Sequence, residues 1–496
     1  MKGGSNLKKP NILFILTDDQ GAWALNCAGT TDLHTPNIDR LAENGVRFEN
    51  FFCTSPVCSP ARASLMTGNI PSAHGVQDWL RGGNIDIEKY HELKDNPIFA
   101  SEHSAIEYLK DQVTYTDVLS KNGYTCALSG KWHLGDSVNP QQGFSKWFTI
   151  ARGGCEYYNG DMVYEGNIYF EKKYITDVIT DKAIDFLEEL SQEDQPFYLG
   201  VHYTAPHSPW DEGNHPKEYI EMYRDCEFNV LPDLPIHPWQ VNTAPHGTGE
   251  TRKDLLRGYY ASITAMDDNV GRIMDYLEQN GLIESTVIIF TSDNGMNMGH
   301  HGIWGKGNGT FPQNMFDTSV KVPFIVSHPT EIPQGVVSEQ LVSQYDVFPT
   351  ILDYLNIDIS NYNRLPGKSF AETLKGESVE EDKNIYIYDE YGPVRMIRNK
   401  QWKYIHRYPY GPHEFYNLAE DPEESENLYG QSEYLDNIKK MKSDLVNWFH
   451  EYVDPSIDGT KEPVTGYGQL RRGGIYSEGN KVHEESDKVI LYYQSK

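Results

Sequence analysis

An α/β fold is the prediction from sequence: a large, mostly parallel or mixed sheet sandwiched by helices, then a smaller α+β unit with an antiparallel sheet and one helix. Two patterns carry it. Up to about residue 360, short apolar runs alternate with segments of helical period, as in a sheet covered by helices. Beyond about residue 376 the runs become short strand-like pieces joined by tight polar turns, with apolar and polar residues alternating in places.

The early runs, 11–17, 124–129, 196–203, 287–291 and 322–327, are almost continuously apolar, as strands buried on both faces must be. Helices are predicted at 174–190, 252–280 and 345–355. In the second, Ile263, Met266, Val270, Ile273, Met274 and Leu277 recur at helical spacing, and Gly281 supplies the stop. The later strands are 384–389, 394–398 and 402–407, followed by a helix at 432–452. That helix carries Leu435, Ile438, Met441, Leu445 and Trp448 on one stripe. The expected division is 1–375 and 376–496. The final stretch from Asp454, rich in glycine, either hugs the surface or is partly mobile.

With 43 Lys+Arg against 72 Asp+Glu, the formal charge is −29, which argues against nucleic acid or an anionic membrane as partner. It also means that an anionic substrate must meet a local cluster of cations. No run approaches the ~18 apolar residues of a membrane span. The six cysteines form neither a C-x-x-C pattern nor a dense disulfide framework. Residues 1–10 contain no apolar run, so a cytoplasmic location with reduced thiols is expected, or a secreted one where a leader has been removed.

Chemistry gathers at the ends of the apolar runs, where open α/β sheets bind ligands. The first run ends in Asp18-Asp19 and the fourth in Asp293-Asn294. Together they offer three carboxylates and an amide carbonyl, hard oxygen donors that suit Ca²⁺ or Mg²⁺. The second run ends in Gly130-Lys131-Trp132-His133, where an extended segment would point Lys131 and His133 the same way. In the third, prolines stiffen the loop around His207, while His202 reads as a packed strand residue. A glycine-rich loop brings in Lys306. Cys58-Ser59-Pro60-Ala61-Arg62, followed by Thr67-Gly68, sits where a helix should start. A helix N-terminus suits an anion and would lower the thiol pKa.

The order DD, C-x-P-x-R, GKWHLG, PHxP, SDNG and GKG resembles the type I, formylglycine-dependent sulfatases of the alkaline phosphatase superfamily. The segment from Met396 to Glu424 is similar to that family's smaller domain. The resemblance implies that Cys58 is oxidised by a maturation enzyme to formylglycine (3-oxoalanine), whose hydrate attacks sulfur. It implies that Arg62 orients the hydrate, that Lys131 and Lys306 bind sulfate, and that His133 hydrogen-bonds the formylglycine hydroxyl. His207, helped by Lys306, would protonate or stabilise the leaving oxygen, and Asp18, Asp19, Asp293 and Asn294 would hold a divalent ion, usually Ca²⁺. A sulfated sugar or other small sulfate ester is the expected substrate. Trp79, Arg81, Arg152, His301, Trp304, Arg471 and Arg472 are the candidates for shaping its pocket. The alternatives are a phosphate or phosphonate monoester hydrolase of the same superfamily, or an unconverted glycan-binding protein.

Overall fold

The computed structural model describes residues 9–242, 244–362, 364–377, 383–389, 393–464 and 466–484. The expectation about a leader falls mainly on residues 1–8, outside that set.

Ten strands form the main sheet. From one edge they run Val336–Ser338, Val46–Phe48, Phe324–Ser327, Thr286–Ser292 and Asn11–Thr17. Phe197–His202, Thr125–Gly130, Phe144–Ile150, Gly160–Tyr164 and Asn167–Glu171 complete the order. The five strands from Thr286–Ser292 through Phe144–Ile150 are mutually parallel, whereas Phe324–Ser327 runs antiparallel to Thr286–Ser292. The sheet is therefore mixed, with a parallel centre.

Alternation along the central strand explains the sandwich. Leu13 and Ile15 enter the core that holds Ile263, Met266, Val270, Ile273 and Leu277 of the Gly249–Gln279 helix, together with the Ile175–Leu190 helix. Ile12, Phe14 and Leu16 enter the opposite core, beneath the Cys58–Thr67, Tyr115–Lys121 and Val347–Tyr354 helices. Successive strand side chains point to opposite faces, so an unbroken apolar run fills both cores at once.

The C-terminal unit is a four-stranded antiparallel sheet, Ile385–Asp389, Val394–Arg398, Trp402–Arg407 and Glu414–Asn417, carrying the Leu435–Tyr452 helix. Ile438, Met441, Leu445 and Phe449 pack on Tyr388, Ile397, Tyr404 and Phe415, and Trp448 stacks on Tyr386 with ring centroids 4.2 Å apart. Leu435 was expected on this stripe but is 44% exposed, because regular helix begins only there. The other face of the small sheet, with Ile387 and Met396, joins the main core.

From the tail, Gly466–Gln469 packs against 77–81: the Gln469 amide donates to the Trp79 carbonyl (2.8 Å) and Arg81 N donates to the Gln469 carbonyl (3.0 Å). Of the two alternatives for this stretch, the surface-hugging one describes it up to Glu484. No described helix is long and apolar enough to cross a membrane.

Candidate active site

Parallel pairing sets the site. Because Asn11–Thr17 lies between Phe197–His202 and Thr286–Ser292, Asp18-Asp19, the His207 loop and Asp293-Asn294 leave the sheet side by side. Lys131 follows the next strand, and its N–H donates to the His202 carbonyl at 2.8 Å. The exit requires Gly130: its φ is +113° and a Cβ there would lie 2.0 Å from that same carbonyl oxygen. From the other layer, the Cys58–Thr67 helix delivers Cys58 in its first turn and Arg62 one turn later.

Each carboxylate meets a cation. Arg62 Nε donates to Asp293 (2.8 Å), Lys131 Nζ to Asp18, and Lys306 Nζ to Asp19 (2.5 Å) and to Cys58 Sγ (2.8 Å). All seven residues are buried. Burial alone would raise the Asp18 pKa, but Lys131, His207, Arg62 and Lys306 hold it well below the usual carboxylate range. Burial, with Asp18 beside it, pushes Asp293 upward despite Arg62. Burial would strip the Lys306 proton, yet Asp19, Cys58, Asp18 and Asp293 push its pKa well up.

The thiol departs from expectation. Instead of being lowered by the helix terminus, the Cys58 pKa is pushed up to about 12, by burial first and the Asp18 charge second, against Lys131 and Lys306. A helix dipole is the smaller influence in so enclosed a position.

Both histidines have defined tautomers, because a carbonyl oxygen only accepts. His207 Nδ1 donates to the Ser208 carbonyl (2.7 Å), which turns Nε2 toward Asp19 Oδ2 at 3.5 Å. His133 Nε2 donates to the Leu80 carbonyl (3.1 Å), leaving buried Nδ1 as an acceptor without a protein partner. Burial first, then Lys131 and Arg62, lowers the His133 pKa well below the usual value and keeps the ring neutral. The segment is not the extended one expected: His133 has φ 56°. Asp19 also sits at positive φ, 62°, and such left-handed backbone in non-glycine residues concentrates at functional sites.

These groups lie against a cavity of about 680 Å³, whose wall includes Asp19, Cys58, Lys131, His133, His207 and Lys306. Trp79, Arg81 and Arg152 line it as well. The other four candidates do not. Trp304 is 1% exposed in the hydrophobic core, and His301 stacks on Phe316 at 3.8 Å beside a different groove. Arg472 is spent on Asp111 (2.7 Å) and on the Tyr476 ring, and its neighbour Arg471 lies outside the wall too.

Several supporting groups were not foreseen. Gln344 Nε2 donates to the Asp293 carbonyl (2.6 Å), the Tyr259 hydroxyl to the Asp19 carbonyl (2.9 Å), and Tyr467 of the tail joins the cavity wall. None stands in a recognisable motif, and their roles depend on long-range packing.

Asp18 Oδ1 and Asn294 Oδ1 are buried acceptors without a hydrogen-bond partner. Asn294 is tied to the cluster through its Nδ2, which donates to Asp19 Oδ1 (2.8 Å). Asp18, Asp19, Cys58 and His207 each bring a potential ligand atom within 4.8 Å of the others. Two orphaned oxygens among carboxylates fit a hard cation.

The sulfatase family profile matches residues 10–357, and the profile described as N-sulphoglucosamine sulphohydrolase, C-terminal, matches 299–451. The chain is 28% identical to an N-acetylglucosamine-6-O-sulfatase of Bacteroides thetaiotaomicron, over 94% of this chain and 90% of that protein. A solved structure in complex with its substrate D-glucosamine-2-N,6-O-disulfate superposes with TM-score 0.72 at 26% identity, over 91% of this chain and 99% of that one. The phosphonate monoester hydrolase of Agrobacterium radiobacter, at 21% identity and TM-score 0.67 over 90% and 96% of the two chains, shares the fold. With the profile covering most of the chain and the motif residues gathered on one cavity, this protein belongs to the sulfatase family and is a sulfuric ester hydrolase.

Proposed function

We propose that the cavity hydrolyses a sulfate monoester of a sugar, starting from Cys58. The observation that carries this reading is Lys306 Nζ, held between Asp19 and Cys58 Sγ at the cavity wall. A cation fixed beside the nucleophile's position is what a sulfate ester needs, because its charge sits on the non-bridging oxygens. The sugar part rests on the relatives, whose names specify N-acetylglucosamine-6-O-sulfate cleavage and a glucosamine disulfate substrate. The cavity volume also falls in the range of small-molecule sites.

Cys58, oxidised to formylglycine by a maturation enzyme, would supply an oxygen nucleophile through its hydrate. Asp18, Asp19, Asp293 and Asn294 would hold Ca²⁺ or Mg²⁺, which when bound supplies positive charge to the sulfate end of the site. The chain's own residues do the rest. Lys131 and Lys306 clamp the sulfate oxygens, and Arg62, anchored on Asp293 and on the Lys131 carbonyl (3.0 Å), backs the nucleophile. His133 Nδ1 accepts a hydrogen bond from a hydroxyl at position 58. His207 Nε2, when protonated, donates its proton to the leaving oxygen as the S–O bond breaks, and Asp19 Oδ2 lies 3.5 Å from that nitrogen.

The test pairs mass spectrometry of the Cys58 peptide with assays on an aryl sulfate, an aryl phosphate and 6-O-sulfated N-acetylglucosamine. The aldehyde form and release of sulfate from the sugar are expected. A phosphate preference or an unconverted, inactive chain would contradict the reading.

A further inference from the structure

The cavity wall also holds Glu102, whose carboxylate is taken up by Asn84 Nδ2 (2.7 Å) and the backbone N–H groups of Asn84 and Ile85, and one cation without an assigned task. Lys131, Lys306 and Arg62 are paired with Asp18, Asp19 and Asp293. Arg152 is neutralised by a two-point contact with Asp161, at 2.8 Å from both Nε and Nη2. Arg81 differs. Among the described residues it has no carboxylate within ion-pair distance. Its Nε donates to Ser101 Oγ (3.2 Å) and its Nη1 to the Tyr467 carbonyl (3.3 Å), both neutral acceptors.

The surroundings hold this arginine in place. Its guanidinium lies 5.9 Å from the Trp79 ring centroid, and its backbone N–H donates to the Gln469 carbonyl (3.0 Å). Gly468, at φ +109°, packs so tightly that a Cβ there would lie 2.6 Å from Arg81 Cβ. Arg81, Trp79, Ser101, Gly466 and Tyr467 all line the cavity that contains Cys58. In a chain of formal charge −29, an arginine kept free of carboxylates and fixed by two neutral acceptors is preorganised for an external anion.

We infer that Arg81 forms a second anion subsite, so that the preferred substrate is a sulfated sugar bearing another acidic group, a sulfate or a carboxylate, besides the ester that is cleaved. This rests on the sulfated-sugar reading above and goes beyond it by naming the substrate's second charge. Arg81 offers its remaining N–H groups to that charge, while the tail segment 466–469 sets its position.

Binding measured by calorimetry on the full-length Cys58→Ala chain, which removes turnover, tests the inference. The probes are glucosamine 6-O-sulfate, glucosamine 2-N,6-O-disulfate, and 6-O-sulfated glucosamine linked to a uronate. The expected result is at least ten-fold tighter binding of one or both doubly charged probes, with the favoured one identifying the group. Adding Arg81→Gln should collapse that ratio to about one, while Arg81→Lys retains part of it; Gln keeps a donor for Ser101 and so guards against loss of the local fold. No preference in the parent, or an unchanged ratio in a folded Arg81→Gln chain, overturns the inference. A preserved ratio in the parent beside absent sulfate release from converted wild type would instead overturn the hydrolytic reading and leave the subsite standing.

Discussion

Lys131 and Lys306 are both buried and both paired with aspartates, yet only Lys306 touches Cys58. A unit charge at ~4 Å is worth about 4 kcal/mol at an effective dielectric near 20, so either lysine has a large effect on a bound sulfate. Replacing either by alanine should lower kcat/KM by about 10²–10³-fold. The two variants should separate when the leaving group changes. Lys306→Ala should penalise a sugar alkoxide more than a nitrophenolate, because an ammonium beside Asp19 also reaches the His207 side of the site. Lys131→Ala should penalise both equally. Identical leaving-group dependence in the two variants would restrict Lys306 to sulfate binding.

Asp18-Asp19, Lys131, His207 and Asp293-Asn294 were legible because each follows an apolar run, and the parallel register of the centre then brings those ends together, while Cys58 and Lys306 were legible from a helix start and a glycine-rich loop. What remained illegible depends on packing across hundreds of residues. Leu80 receives His133 only because 77–81 is strapped by Gln469, and Trp304 resembled a pocket aromatic until the core claimed it. The edge strand Asn167–Glu171 escaped notice because it is mostly exposed and lacks an apolar run. The C-terminal sheet was visible, but not its anchor. Asp317 receives Arg398 (2.6 Å) and Lys403 (2.9 Å), and Lys403 also meets Glu424. Burial would raise the Asp317 pKa, but Arg398, Lys403 and Lys321 hold it well below its usual value. Its stabilising contribution is therefore present above the unfolded pKa of 3.8 and is lost as pH falls below that toward the depressed folded value. Glu424 is pushed the other way, to about 7, by burial and against Lys403, so its contribution fades as pH rises through neutrality. Asp317→Asn should cost about 3–5 kcal/mol at neutral pH, since it leaves the buried Arg398 without its carboxylate partner, and should flatten the acid limb of stability below pH ~4. Urea unfolding across that range checks it; parallel pH curves for the two proteins would remove the anchor role.

Over the whole molecule, the surface carries the −29 charge but the site must bind an anion. Screening beyond about 8 Å at physiological salt limits the global field. Arg62, Lys131 and Lys306 together with a metal ion are the local set expected to outweigh it; in the structure the three side chains are matched one to one by Asp293, Asp18 and Asp19. A divalent ion on those carboxylates would tip the cavity positive. Chelation should thus weaken sulfate-ester binding as well as turnover and lower the melting temperature, since a ligand at ~100 times its Kd stabilises by about 2.7 kcal/mol. Restored binding and stability on adding Ca²⁺ or Mg²⁺ would complete the result; a verified metal-free sample with full activity would refute it. Hydrolysis of a sugar sulfate is proposed to originate at Cys58. Its most direct test is sulfate release from a 6-O-sulfated sugar by the matured protein and by Cys58→Ala, side by side at matched folding. Steady release by the first and none above background by the second are expected; comparable release by both would rule out Cys58 as the origin of the nucleophile.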